Sequence, residues 1–103
     1  MFEVQFLIPL ADNEGNAFTD EVLNSWRTRL IEWFGGYSAY PGQVAGGWME
    51  GGKVYTDENV VYGVAIGGVT DGDKVAKAAR YAKILFRQEA IFIRYLGLTE
   101  IVS

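Results

Sequence analysis

"GGWMEGGKVYTD", residues 46–57, places two glycine pairs around a tryptophan and runs on to a tyrosine and an acid. Gly51-Gly52 reads as the turn of a β-hairpin, because a two-residue loop of the primed type needs positive φ at its centre. The register follows at once: Glu50 faces Lys53, Met49 faces Val54 and Trp48 faces Tyr55. An oppositely charged pair beside the turn and an aromatic pair further along are cross-strand contacts that stabilise a hairpin. Continued outward, the same register sets Pro41-Gly42 near the level of Val61 and Tyr62, and Gly46 opposite Asp57. Breakers in both strands predict a bend or bulge that divides a base from an arm spanning about residues 44–56.

The flanking segments supply the rest of the fold. "FEVQFLIPL", residues 2–10, alternates Phe2, Val4, Phe6, Ile8 and Leu10 with Glu3, Gln5, Leu7 and Pro9, the pattern of a half-buried strand. "ADNEGN" supplies turn chemistry: Asp12 and Asn13 can bond their own backbone, and Gly15 accepts positive φ. From Thr19 the period becomes helical. Val22, Leu23, Trp26, Leu30, Trp33 and Phe34 share a stripe, Thr19 caps its start and "FGG" at 34–36 ends it. A second helix begins at Asp71 as cap and buries Val75, Ala78, Ala79, Ala82, Leu85 and Phe86, with Lys74, Lys77, Arg80 and Lys83 outside. "AIFIRYLGL", residues 90–98, is the last strand. The order β-α-β-β-α-β predicts a single α+β domain, residues 1–103, with a ferredoxin-like sandwich and an extended β2-β3 hairpin. Right-handed crossovers place the strands in the order 4-1-3-2 with both helices on one face. Glu3, Gln5 and Leu7 then lie on the open face, with Arg94 beside Glu3 or Gln5 if Ile91, Ile93 and Tyr95 point inward.

Composition limits the chemistry. With neither cysteine nor histidine, thiol catalysis, imidazole triads and thiolate metal sites are excluded. What remains is chemistry by carboxylates, Lys, Arg, Tyr, Ser or Thr, and oxygen sites for magnesium or calcium. A net charge of −4 disfavours nucleic acid and anionic membrane. No "G-F/Y-G/A-F-V" stretch marks the open face as an RNA platform, so no nucleic-acid partner is expected. The start lacks a basic n-region and its apolar run is cut at Pro9, which argues against a signal peptide and for a cytoplasmic protein without a membrane partner. "GGVTDGDK" lacks the phosphate-loop spacing, and "DNEGN" lacks the calcium-loop spacing and its closing glutamate. No catalytic residue, metal or cofactor is therefore expected.

Trp48, Tyr55 and Asp57 are carried by the arm toward one edge of the sheet, where either the arm folds back and its tryptophan fills core space, or the three surround a ligand. Gln88, in "FRQEA", either turns the chain into the last strand or points at the arm. Taken in order, "LIPLADNEG", "FGGYSAYP", "GGW" followed by "GGKVYTDE", and "FRQEAIFI" resemble a family of short, uncharacterised bacterial proteins with Leu-Pro, Asp-Asn-x-Gly, Phe-Gly-Gly, Gly-x-Trp and Phe-x-Gln-Glu motifs. That resemblance implies no known activity; it points to Gly35, Gly36, Trp48, Asp57 and Gln88, and to Ser38 as the hydroxyl after Phe-Gly-Gly. The expectation is a non-catalytic binding or interaction module, homodimeric, in a bacterial cytoplasm. The alternative is a small enzyme or ligand sensor whose pocket lies between arm and sheet, with Asp57 as acceptor or base and Tyr55, Trp48, Ser38 and Gln88 around a ligand.

Overall fold

β1 spans Phe2–Pro9, α1 Asp20–Phe34, β2 Ser38–Glu50, β3 Lys53–Ile66, α2 Gly72–Leu85 and β4 Phe92–Leu98. The structure, a computed structural model, describes residues 2–50, 53–68 and 71–98, with the side chains of 41–58 and 96–98 left aside. The four strands form one antiparallel sheet in the order β2-β3-β1-β4. This is the α+β, ferredoxin-like topology expected from the sequence, since strand order 4-1-3-2 is the same sheet viewed from its other edge.

Local chemistry sets the element ends. Thr19 adopts an extended backbone and its hydroxyl accepts a hydrogen bond from Val22 N at 3.2 Å, satisfying one of the first-turn donors of α1. Asp20 and Glu21 add negative charge at that end, where the helix dipole favours it. α1 stops at Gly35, whose left-handed φ of 80° lets its N–H donate back to Ile31 O. In the turn after β1, Asp12 Oδ1 accepts from Glu14 N and Asn16 N, each at 2.9 Å, and Gly15 takes φ 86°. Asp71 does stand at the N-cap position of α2, but its side chain makes no capping hydrogen bond to the helix backbone. Its carboxylate turns back instead, accepting from Gly67 N at 2.8 Å and lying 3.6 Å from Lys74 Nζ.

The core follows the two periodicities. Val4, Phe6 and Ile8 of β1 and Tyr62, Val64 and Ile66 of β3 face α1 through Trp26 and Leu30, and α2 through Val75, Ala78 and Ala82. Both helices therefore cover one face. Trp26 sits at the centre, edge-on to Phe6, Tyr62 and Phe86 at 5.4, 6.1 and 5.8 Å between ring centroids and stacked on Tyr81 at 6.4 Å. Its Nε1 makes no hydrogen bond among the described residues, so packing alone holds the ring.

The hairpin register is the one the glycine turn implies: Glu50 opposes Lys53, Trp48 opposes Tyr55 and Gly46 opposes Asp57. Between Tyr40 and Gln43 the register shifts, so Pro41-Gly42 have no partners on β3. β2 is an edge strand, where a proline with no N–H to donate is tolerated. β1 pairs with β3 from Phe2↔Ile66 to Pro9↔Asn59, so residues 53–58 of β3 have β2 as their sole sheet neighbour among the described residues. This arm extends roughly 20 Å beyond β1 at about 3.3 Å per residue. It accounts for much of a longest dimension of 49 Å against 30 and 25 Å. Among the described residues no helix is long and apolar enough to cross a membrane.

Candidate functional site

On the open face, β1 presents Glu3, Gln5 and Leu7, while β3 opposes them with Ala65, Gly63 and Val61. β2 adds Ser38 beside Gly63 and Tyr40 beside Val61, and β4 sets Arg94 opposite Gln5. The Tyr40 ring leans diagonally along the face, and its hydroxyl donates to Glu3 Oε1 at 2.5 Å, across Gly63. A Cβ on Gly63 would collide with Glu3 Oε1 and stand 3.3 Å from Tyr40 Cε2, so the missing side chain makes room for the pair. Acceptance of the hydrogen bond by Glu3, followed by burial, holds the Tyr40 phenol above its ordinary value of 10.0.

Glu3 also lines a cleft of about 480 Å³ at the end of the sheet. Its far wall is the turn leaving α1: Phe34, Gly35, Gly36, Tyr37 and Ser38. The cleft exists because β2 begins only at Ser38, opposite Gly63, which leaves Val64, Ala65 and Ile66 of β3 without a neighbour on that side. Glu3 is its sole charged lining residue among those described. Tyr37 packs on Tyr62 at 5.9 Å between centroids and Phe34 on Phe6 at 6.2 Å, which anchors the turn to the core.

The residues singled out from sequence fall in three places. Trp48 and Tyr55 are cross-strand partners in the arm, and Asp57 lies two positions from Tyr55 on β3; their side chains lie outside the described residues. Ser38 is at the other end of β2, beside the cleft: its partner Gly63 is six positions from Asp57, roughly 20 Å along the strand. Gln88 sits after α2, where its N–H donates to Lys83 O at 2.9 Å and its side-chain Nε2 to Phe86 O at 2.8 Å. The amide thereby closes the helix end next to Arg87, which takes a left-handed φ of 54°. Glu3, Tyr40 and Gly63 were not marked as a site by the sequence reading. The available signal was Gly63 interrupting "VVYGVAI", since a glycine within a strand marks a close approach.

No protein-family model matches this chain, and no curated protein matches it. Solved structures do. The divalent cation tolerance protein CutA1 of Thermus thermophilus superposes with a TM-score of 0.66 at 17% identity, covering 98% of this chain and 86% of that one. A phage SAM lyase in its apo state gives 0.67 at 14% identity over 92% of this chain and 78% of that one. The periplasmic divalent cation tolerance protein CutA of Archaeoglobus fulgidus gives 0.65 at 10% identity over 99% and 87%. At these identities the likeness is one of fold. It spans nearly the whole chain, hairpin included.

Proposed function

We propose that the protein is a non-catalytic binding or interaction module that works as a homo-oligomer, a homodimer in its simplest closed form, assembled through its hairpin arm. The observation that carries this is the arm itself: β2 and β3 continue together past the end of β1 with no third strand among the described residues. A two-stranded ribbon is marginal in water by itself, and its unpaired edges are templates for another chain. Exposed apolar side chains support the reading. At the opposite edge of the sheet, Phe92 on the open face of β4 and Tyr95 on its helix-covered face are 71% and 66% exposed, and Ile84 of α2 is 80% exposed. Apolar exposure beside an open strand edge favours burial against another subunit. The bacterial-cytoplasm setting and membership of the short bacterial family with the Phe-Gly-Gly and Gly-x-Trp motifs belong to the same proposal.

Sedimentation velocity over a concentration series tests it, on the wild type and on Trp48→Ala, with circular dichroism confirming that the variant is folded. The expected result is an oligomeric wild type and a folded variant of lower mass. A wild type that stays monomeric throughout would remove the reading.

The fold shared with a phage SAM lyase, one structure of which is in complex with S-methyl-5'-thioadenosine, favours a second reading as a small enzyme or ligand sensor. Its test is a thermal shift with S-methyl-5'-thioadenosine on wild type and Asp57→Asn. An unchanged melting temperature for the wild type would count against it.

A further inference from the structure

We propose that the cleft between the turn at residues 34–38 and the β1-β3 face binds a small organic cation, an alkylated ammonium. Three features of the cleft select that chemistry. Glu3 contributes the only charge among its described lining residues, and neither lysine nor arginine joins it. The C-terminal end of α1 reaches the cleft at Phe34 and Gly35, and the last turn of that helix holds no basic residue. Its last carbonyls, which lack partners within the helix, and the negative end of its dipole are thus uncompensated by a cation in that turn. Phe2, Phe34 and Tyr37 supply aromatic surface, whose faces attract ammonium groups bearing alkyl substituents.

The carboxylate is ready for such a ligand. One of its oxygens accepts from Tyr40, which holds the side chain over Gly63. Arg94, the cation nearest by register, stands on β4, across β1 from the cleft, and forms no ion pair with Glu3 among the described residues. A divalent metal is a poorer match, because no group of three or more carboxylates among the described residues could hold one. An anion would meet Glu3 and the helix end without a counter-charge. This inference goes beyond both readings above, since it depends neither on self-association nor on turnover.

The test is an NMR titration with choline and, separately, with its uncharged isostere 3,3-dimethyl-1-butanol, at matched ionic strength. Choline is expected to shift the amides of Gly35, Gly36 and Gly63, and the isostere to leave them in place. Glu3→Gln, which keeps an acceptor for Tyr40 while removing the charge, is expected to weaken choline binding roughly fivefold, the scale of a partly exposed ion pair. Equal responses to both compounds, no response to choline, or shifts that map outside the cleft would overturn the proposal. Should Glu3→Gln fail to fold, the wild-type comparison of the charged and uncharged probes still decides.

Discussion

β3 passes through two environments. From Val60 to Ile66 it has β1 on one side and α1 and α2 above, and Tyr62 and Val64 are each only 2% exposed. From Lys53 to Glu58 it has β2 and, among the described residues, no other strand. The base is stabilised by area removed from water, about 25 cal/mol per Å² of apolar surface. The arm has ladder hydrogen bonds and cross-strand pairs, which contribute tenths of a kcal/mol to about 1 kcal/mol each. One continuous strand therefore joins a region that folds by burial to a region with unpaired edges.

Perturbations of the base separate the two regions, beginning with the largest. Trp26→Ala removes the ring that Phe6, Tyr62, Tyr81 and Phe86 enclose and should cost about 3–5 kcal/mol, read as the urea midpoint of unfolding. Retention of wild-type stability would mean that the core is not organised around this residue. Gly63→Val should cost about 1–2 kcal/mol despite the better strand propensity of valine, because it drives Glu3 from Tyr40. Ultraviolet titration should then show the Tyr40 phenol falling back toward 10.0. Thr19→Ala should cost about 1 kcal/mol through loss of the cap on Val22 N.

The smallest effect is expected at Asp12. Hydrogen bonds from the Asn16 backbone first, then from Glu14, hold its carboxyl below the ordinary 3.8. A depressed carboxylate stabilises the fold above its unfolded value, and that contribution is lost as pH falls through the folded value. Asp12→Asn should therefore lessen the loss of stability on acidification below pH 3.8 and leave its neutral-pH slope alone. An unchanged acid profile would show that the turn after β1 does not couple to folding.

Much of this architecture was legible in the chain. Alternation in "FEVQFLIPL" identified the face that Val4, Phe6 and Ile8 bury, and the glycine pair at 51–52 set the register that brings Trp48 opposite Tyr55. The site was less legible. The slip at Pro41-Gly42 moves Tyr40 from the level of Gly63 to that of Val61, and its ring lies back along the face over Gly63 to meet Glu3. Sequence patterns report which face a residue takes, whereas the Glu3–Tyr40 contact depends on register across three strands. The family resemblance grouped Ser38 with Asp57, yet Ser38 opens β2 opposite Gly63 while Asp57 lies on β3 six positions from that glycine. Asp71 shows the same limit on a smaller scale: its position as a cap was readable, but the backward turn of its carboxylate to Gly67 depends on where β3 ends.

The measurement that bears most directly on the contrast is amide hydrogen exchange, followed residue by residue at low and at high protein concentration. The base, residues 60–66 of β3 with β1, should exchange slowly at both concentrations. Amides of the arm, residues 43–50 and 53–58, should exchange quickly in dilute protein and gain protection as concentration rises, because a neighbouring subunit then covers their edges. Arm amides as protected as the base at every concentration would contradict this account, and so would arm amides that stay unprotected in concentrated protein.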